Sequence, residues 1–295
     1  MGKSELAHLV VVQHQRIAAQ RSGRRRAVVA RGNDGVTPAG GNSARKRVKA
    51  QGQVWQEAAI DLHSKGVSAG GSIEVVKQLA TNPRLYSLNL GCNRLGAAGC
   101  HRIASAIAAS ETLTWLNLSG NYIGPTGADS LAQVLNGLQQ LHTLNLCDNE
   151  IGPSGAGALA DALCSNTTLA TLTLSCNEIR SDGAAEIANA LSRNATLKYL
   201  LLASNSIGDL GASHMAAAIA GRAPPLPGLG ECSLVELQLG FNGITDNGAD
   251  KLGVALKKNN HVTELGLPGN DISATKMEAI VSALHANLTR ADPNF

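Results

Sequence analysis

An asparagine recurs at a fixed interval through most of this chain, and that interval decides what the chain can fold into. Seven segments share one pattern: LYSLNLGCNRL from Leu85, LTWLNLSGNYI from Leu113, LHTLNLCDNEI from Leu141, LATLTLSCNEI from Leu169, LKYLLLASNSI from Leu197, LVELQLGFNGI from Leu234 and VTELGLPGNDI from Val262. Their asparagines are Asn93, Asn121, Asn149, Asn177, Asn205, Asn242 and Asn270, spaced 28, 28, 28, 28, 37 and 28 residues apart. A degenerate copy precedes them, with Ile60, Leu62 and Val67 in the apolar slots and Lys65 in the Asn slot. A period of this length marks a stack of about eight small units, none of which can bury its own apolar face alone.

Each unit changes period halfway. The front half, as in Leu141-x-x-Leu144-x-Leu146, alternates and predicts a short strand. The back half, as in Gly155-Ala156-x-x-Leu159-Ala160-x-Ala162-Leu163, places apolar residues three and four apart, one face of a helix. Glycines at Gly127, Gly155, Gly183, Gly211 and Gly248 allow either a close approach or an unusual backbone angle. Stacked strand–helix units with right-handed crossovers predict an α/β solenoid, a horseshoe with a parallel concave sheet and convex helices. The repeated Asn has a structural task there: its amide supplies donors and an acceptor to a turn whose backbone has left the sheet.

The pattern L-x-x-L-x-L-x-x-N-x-I-G-x-x-G-A-x-x-L-A-x-A-L-x-x-N-x-T-L resembles the 28-residue leucine-rich repeats of ribonuclease inhibitor, Ran GTPase-activating protein and the nucleotide-binding leucine-rich-repeat receptors. It covers residues 57–289, about four fifths of the chain. The resemblance implies a leucine-rich repeat solenoid of the ribonuclease-inhibitor-like type that binds another protein. The Ran-directed relatives offer an alternative, GTPase activation with a small GTPase as partner, although the acidic C-terminal tail usual in them is missing after Asp292. The acidic turn residues Glu150, Glu178 and Asp271 speak weakly for that alternative.

Charge divides the chain. Residues 1–52 hold 11 Lys/Arg against 2 Asp/Glu, a balance of +9; residues 53–295 hold 14 against 20, a balance of −6. The first stretch, with Arg24-Arg25-Arg26 and Arg45-Lys46-Arg47, reads as a disordered basic arm that could tether nucleic acid. Residues 53–289 read as the repeat domain and 290–295 as a short tail. The nine additional residues between Asn205 and Asn242 fall near 221–231, where Pro224, Pro225 and Pro227 forbid a helix and predict a rim loop.

Catalytic chemistry is not written in the pattern. The eight histidines are scattered, no metal-ligand or nucleophile motif appears, and no cofactor is implied. Six cysteines without C-x-x-C spacing, no apolar run long enough to span a bilayer and no secretory leader predict a reducing, cytoplasmic setting, with the nucleus left open by the basic clusters. The sequons at Asn166, Asn194 and Asn287 sit at repeat-equivalent positions and read as part of the repeat. The expectation is therefore a non-catalytic interaction scaffold. Only 2% of its residues are aromatic, yet Trp115 and Tyr199 occupy the third slot of L-x-x-L-x-L and Leu201 the fifth, both facing the concave side. With Tyr122 and Phe241 on the following turns, these are the candidate partner-binding residues.

Overall fold

The computed structural model describes residues 58–291, apart from Thr81, Ala109 and 222–231. The chain divides into two units, residues 1–53 and 54–295, and every described residue belongs to the second. The arm expected over residues 1–52, most of the insertion and the end of the tail lie outside the described residues.

Eight strands alternate with eight helices among the described residues: β1 (Ala59–Asp61), α1 (Ser72–Leu79), β2 (Ser87–Asn89), α2 (Gly96–Ile107), β3 (Trp115–Asn117), α3 (Gly124–Leu135), β4 (Thr143–Asn145), α4 (Gly152–Leu163), β5 (Thr171–Thr173), α5 (Arg180–Leu191), β6 (Tyr199–Leu201), α6 (Gly208–Ala220), β7 (Glu236–Gln238), α7 (Asp246–Lys258), β8 (Glu264–Gly266) and α8 (Ala274–Ala291). The strands form one parallel sheet in chain order. Its register follows the repeat, with Ile60, Leu88, Leu116, Leu144, Leu172, Leu200, Leu237 and Leu265 side by side. The degenerate first copy is thus a true unit. Strands sit about 4.8 Å apart while packed helices need about 8–10 Å, so the stack curves with its sheet on the inner side.

The core is a column of aliphatic layers. In the third unit Leu113, Leu116, Leu118, Ile123, Leu131 and Leu135 are all buried, and neighbouring units repeat the arrangement. Each fully buried Leu or Ile contributes roughly 1.5–3 kcal/mol. Helices approach closely through the glycines: a Cβ on Gly155 would lie 2.6 Å from Ile151 Cγ2 and 3.0 Å from Pro125 Cα. Of the two roles those glycines could have had, close approach is the one they perform. The left-handed backbone falls three residues earlier, at Gly124 (φ 60) and Gly152 (φ 64).

One element boundary differs from the sequence expectation and one agrees with it. Helix α8 continues to Ala291, past the break placed at 289, because Ala283–Ala291 contains no Gly or Pro to stop it. Helix α6 stops at Gly221 (φ 71) before the insertion, and the stack resumes in register beyond it, Tyr199 opposite Glu236. The added residues therefore leave the sheet undisturbed.

The turn after each strand alternates between left-handed and ordinary backbone. Asp148 (φ 57) and Glu150 (φ 57) flank Asn149, and Cys176 (φ 60) and Glu178 (φ 53) flank Asn177. Such a chain cannot continue the ladder, and the asparagine side chains complete it. Asn149 Nδ2 donates to the carbonyls of Leu118 (2.9 Å), Leu146 (3.0 Å) and Cys147 (3.1 Å), while its Oδ1 accepts the Asn121 N–H at 3.0 Å. The seven ladder asparagines bond in closely similar ways. All are buried except Asn270, which is half-buried in the last unit.

Candidate partner-binding surface

In each three-residue strand the central Leu or Ile points into the core, and the residues on either side face outward. Two rows of side chains run across the sheet as a result. The first holds Ser87, Trp115, Thr143, Thr171, Tyr199, Glu236 and Glu264; the second holds Asn89, Asn117, Asn145, Thr173, Leu201, Gln238 and Gly266. Trp115 and Leu201 are half-buried and Tyr199 is exposed. From β3 to β6 is three strand spacings, about 14 Å. Between the two rings lies a floor of short side chains, Thr143, Thr171, Asn145 and Thr173, so the aromatics stand as walls about a shallow trough.

Part of the second row is already committed to the backbone. Asn117 Nδ2 donates to Asn89 Oδ1 at 2.9 Å, and Asn117 Oδ1 accepts the Ser119 N–H at 3.0 Å. Asn145 Oδ1 likewise accepts the Cys147 N–H at 3.0 Å. These bonds pin the strand exits. Toward the C-terminal end the face turns acidic. Gln238 Nε2 donates to Glu236 Oε1 (3.1 Å) and Glu264 Oε1 (3.4 Å), and its side chain fills the space left by Gly266.

Not all of the expected residues share this face. Trp115, Tyr199 and Leu201 do. Tyr122 (φ 55) and Phe241 (φ 56) lie on strand-exit turns, 62% and 63% exposed, four units apart and off the sheet. The Phe241 ring rests against Gly269 of the following turn. Tyr86 projects from the strand-entry side, just before β2. Among the described residues, no group of three or more His, Cys, Asp or Glu side chains could hold a metal ion, and no helix is long and apolar enough to cross a membrane.

Sequence reasoning counted Asn166 and Asn194 as part of the repeat but gave no task to this second set of asparagines at the helix-to-strand turn. Asn166, Asn194 and Asn259 are buried, although the first two lie in sequons. Asn194 Oδ1 accepts the N–H groups of Thr196 (2.9 Å) and Leu197 (2.8 Å), and its Nδ2 donates back to Leu163 (2.8 Å) and Asn166 (2.9 Å). Asn259 repeats this with His261, Val262 and Ile219. The N-x-T-L that ends several units was the available signal.

A single sheet with a helix behind each strand, an amide ladder along the strand exits from β2 to β8 and an open face defines a solenoid repeat protein. A family model described as "Leucine Rich repeat" matches residues 109–132, 138–160, 165–188, 193–216 and 231–253. The chain thus carries five leucine-rich repeats of this family over those residues. No curated protein sequence matches it. Among solved structures, leiomodin-1 actin-binding site 2 is 16% identical, covering 66% of this chain and 90% of that one with a TM-score of 0.42. The tropomodulin C-terminal domain of Caenorhabditis elegans is 12% identical over 67% and 96%, TM-score 0.42. An internalin, inlF, of Listeria monocytogenes is 20% identical over 70% and 61%, TM-score 0.36.

Proposed function

We propose that this protein is a non-catalytic scaffold, of the ribonuclease-inhibitor-like type, that grips another protein on its sheet face between Trp115 and Tyr199. The 28-residue unit, long enough for a full helix behind each strand, supports the type. The observation that carries the function is the placement of Trp115, Tyr199 and Leu201 on that face, in rows that otherwise hold mainly Ser, Thr, Asn, Gln and Glu. Aromatic anchors set on such a polar face typically dominate the energy of a protein interface. The acidic end at Glu236 and Glu264 favours a partner that brings a basic group to that side and an apolar one to the trough.

The test compares the full chain with the double variant Trp115→Ala, Tyr199→Ala and with a helix-side control, Leu210→Ala, which also removes an exposed apolar side chain. Proteins retained by the wild type and the control are identified, and their affinities are measured. The double variant should bind them at least ~2 kcal/mol more weakly, with its thermal transition intact. Equal affinity in the double variant, or equal loss in the control, would remove the sheet face as the site.

A further inference from the structure

Two cysteines of adjacent units meet on the strand-exit turns. Cys147, in the fourth unit, is half-buried; Cys176, in the fifth, is exposed. Their backbones run side by side, with the Leu146 N–H on the Thr173 carbonyl at 2.8 Å and the Asp148 N–H on the Ser175 carbonyl at 2.9 Å. That pairing puts residues 147 and 176 on the extensions of neighbouring strands, one residue off direct opposition. Besides burial, the Cys176 thiol is near enough to raise the pKa of Cys147. The Cys147 backbone is held from three sides, its N–H by Asn145 and its carbonyl by the Gly120 N–H (2.8 Å) and the Asn149 amide (3.1 Å). Cys92 leans over Gly120 from the second unit, its Sγ 3.4 Å from where a Cβ on that glycine would stand. The remaining cysteines are elsewhere: Cys100 and Cys232 are buried, and Cys164 caps the end of α4.

We propose that Cys147 and Cys176 are a thiol pair that closes to a reversible inter-unit disulfide when the protein meets a peroxide. The exposed Cys176 sulfur attacks one oxygen of hydrogen peroxide. The O–O bond breaks, Cys176 becomes the sulfenic acid, and the thiol proton leaves with the departing hydroxide as water. Cys147 sulfur then attacks the Cys176 sulfur; the S–O bond breaks and the hydroxyl takes the Cys147 proton as a second water. Both thiols are oxidised by one peroxide, and two thiols of a reductant such as glutathione reverse it. Burial first, and then the neighbouring Cys176, pushes the Cys147 thiol up to about 12, so the exposed Cys176 and not Cys147 meets the peroxide first. The bond would tie the fourth and fifth units together beside Asn145 and Thr173, at the edge of the trough, and stands whether or not a partner binds there.

Serine is compatible with both positions, because neighbouring units already carry it. Ser119 and Ser175 occupy the slot of Cys147, and Ser204 (φ 58) occupies the left-handed slot of Cys176. The full chain is exposed to hydrogen peroxide, remaining thiols are alkylated, and the protein is cleaved after glutamate. Fragments 112–150 and 151–178 should appear joined, two hydrogens lighter than their sum, and separate again with dithiothreitol. The link should vanish in Cys176→Ser and in Cys147→Ser and persist in Cys164→Ser. Persistence in Cys176→Ser, a Cys92–Cys147 link in its place, or oxidation of Cys176 without any link would overturn the assignment.

Discussion

The side-chain oxygen of Asn149 accepts the backbone N–H of Asn121 at 3.0 Å, so each asparagine of the ladder serves the unit before its own. The same relation joins Asn177 to Asn149 and Asn205 to Asn177. It also crosses the insertion, where Asn242 Oδ1 accepts the Asn205 N–H at 2.8 Å. Stacking and turn closure are therefore one interaction. In the first described unit the slot belongs to the exposed Lys65, while Asn93 reaches back from the second unit to the Leu62 carbonyl and the Val67 N–H.

Removing one rung should be costly in the middle of the stack. Asn149→Leu leaves the Asn121 N–H without its partner in a buried turn, while the Leu118 carbonyl keeps the Asn121 amide at 3.0 Å. An unsatisfied buried group costs about 1–3 kcal/mol, and that is the loss expected from denaturant unfolding. Asn270→Leu should cost less, because its half-buried setting lets water reach the freed groups. Equal losses at the two sites would mean that the ladder is not what holds adjacent units.

Two glycines of the same helix should respond with opposite signs. A Cβ on Gly155 in α4 would stand within 3.1 Å of Ile151, Pro125 and Ala128, and part of that wall is backbone. Gly155→Ala should destabilise by about 1–3 kcal/mol through overpacking. At Gly157 the nearest atom is Glu186 Cγ at 3.8 Å, so Gly157→Ala should stabilise by up to ~1 kcal/mol from helix propensity alone. Thermal unfolding of the two variants decides it.

Arg180 occupies a left-handed slot (φ 59) that Gly96, Gly124, Gly152 and Gly208 fill in other units. An L-residue there costs roughly 1–2 kcal/mol, and its cation sits unfavourably in the first turn of α5. The facing Glu178 is 4.0 Å away and both side chains are largely exposed, which recovers little. Arg180→Gly should raise stability by about 0.5–1 kcal/mol once the greater chain entropy of glycine is deducted. A lowered melting temperature would show that Arg180 makes up the strain by some other contact.

The period, the strand-to-helix order and the first ladder were legible in the sequence because each reflects local patterning repeated unit after unit. Less legible was whatever depends on two units at once. That Asn149 serves Asn121, or that Cys147 meets Cys176, follows from stacking register and leaves no mark within one unit. The split of the aromatics was half-visible. Alternation placed Trp115, Tyr199 and Leu201 on the face and Tyr122 and Phe241 on the turns beyond it, while the left-handed backbone of those turns left no mark in the sequence.

Acid should loosen the sixth and seventh units through one carboxylate. Asp209 Oδ1 accepts the N–H groups of Thr245 (2.7 Å) and Gly248 (3.0 Å), and Oδ2 accepts the Thr245 hydroxyl (2.6 Å), so a side chain of α6 caps the start of α7. Burial pushes this carboxyl up, but the Thr245 hydroxyl and backbone bonds, with that of Gly248, outweigh it and hold the group below its ordinary value. A lowered native pKa means the unfolded chain binds the proton more readily. The contribution is then complete above the ordinary carboxylate range and is lost as pH falls through the lowered value. Asp209→Asn should therefore reduce stability near neutrality and flatten the decline on the acid side. Denaturant midpoints measured for both proteins from neutral pH downward should converge in acid. Parallel curves, separated by the same amount at every pH, would show that the charge of Asp209 is not what fastens the two helices.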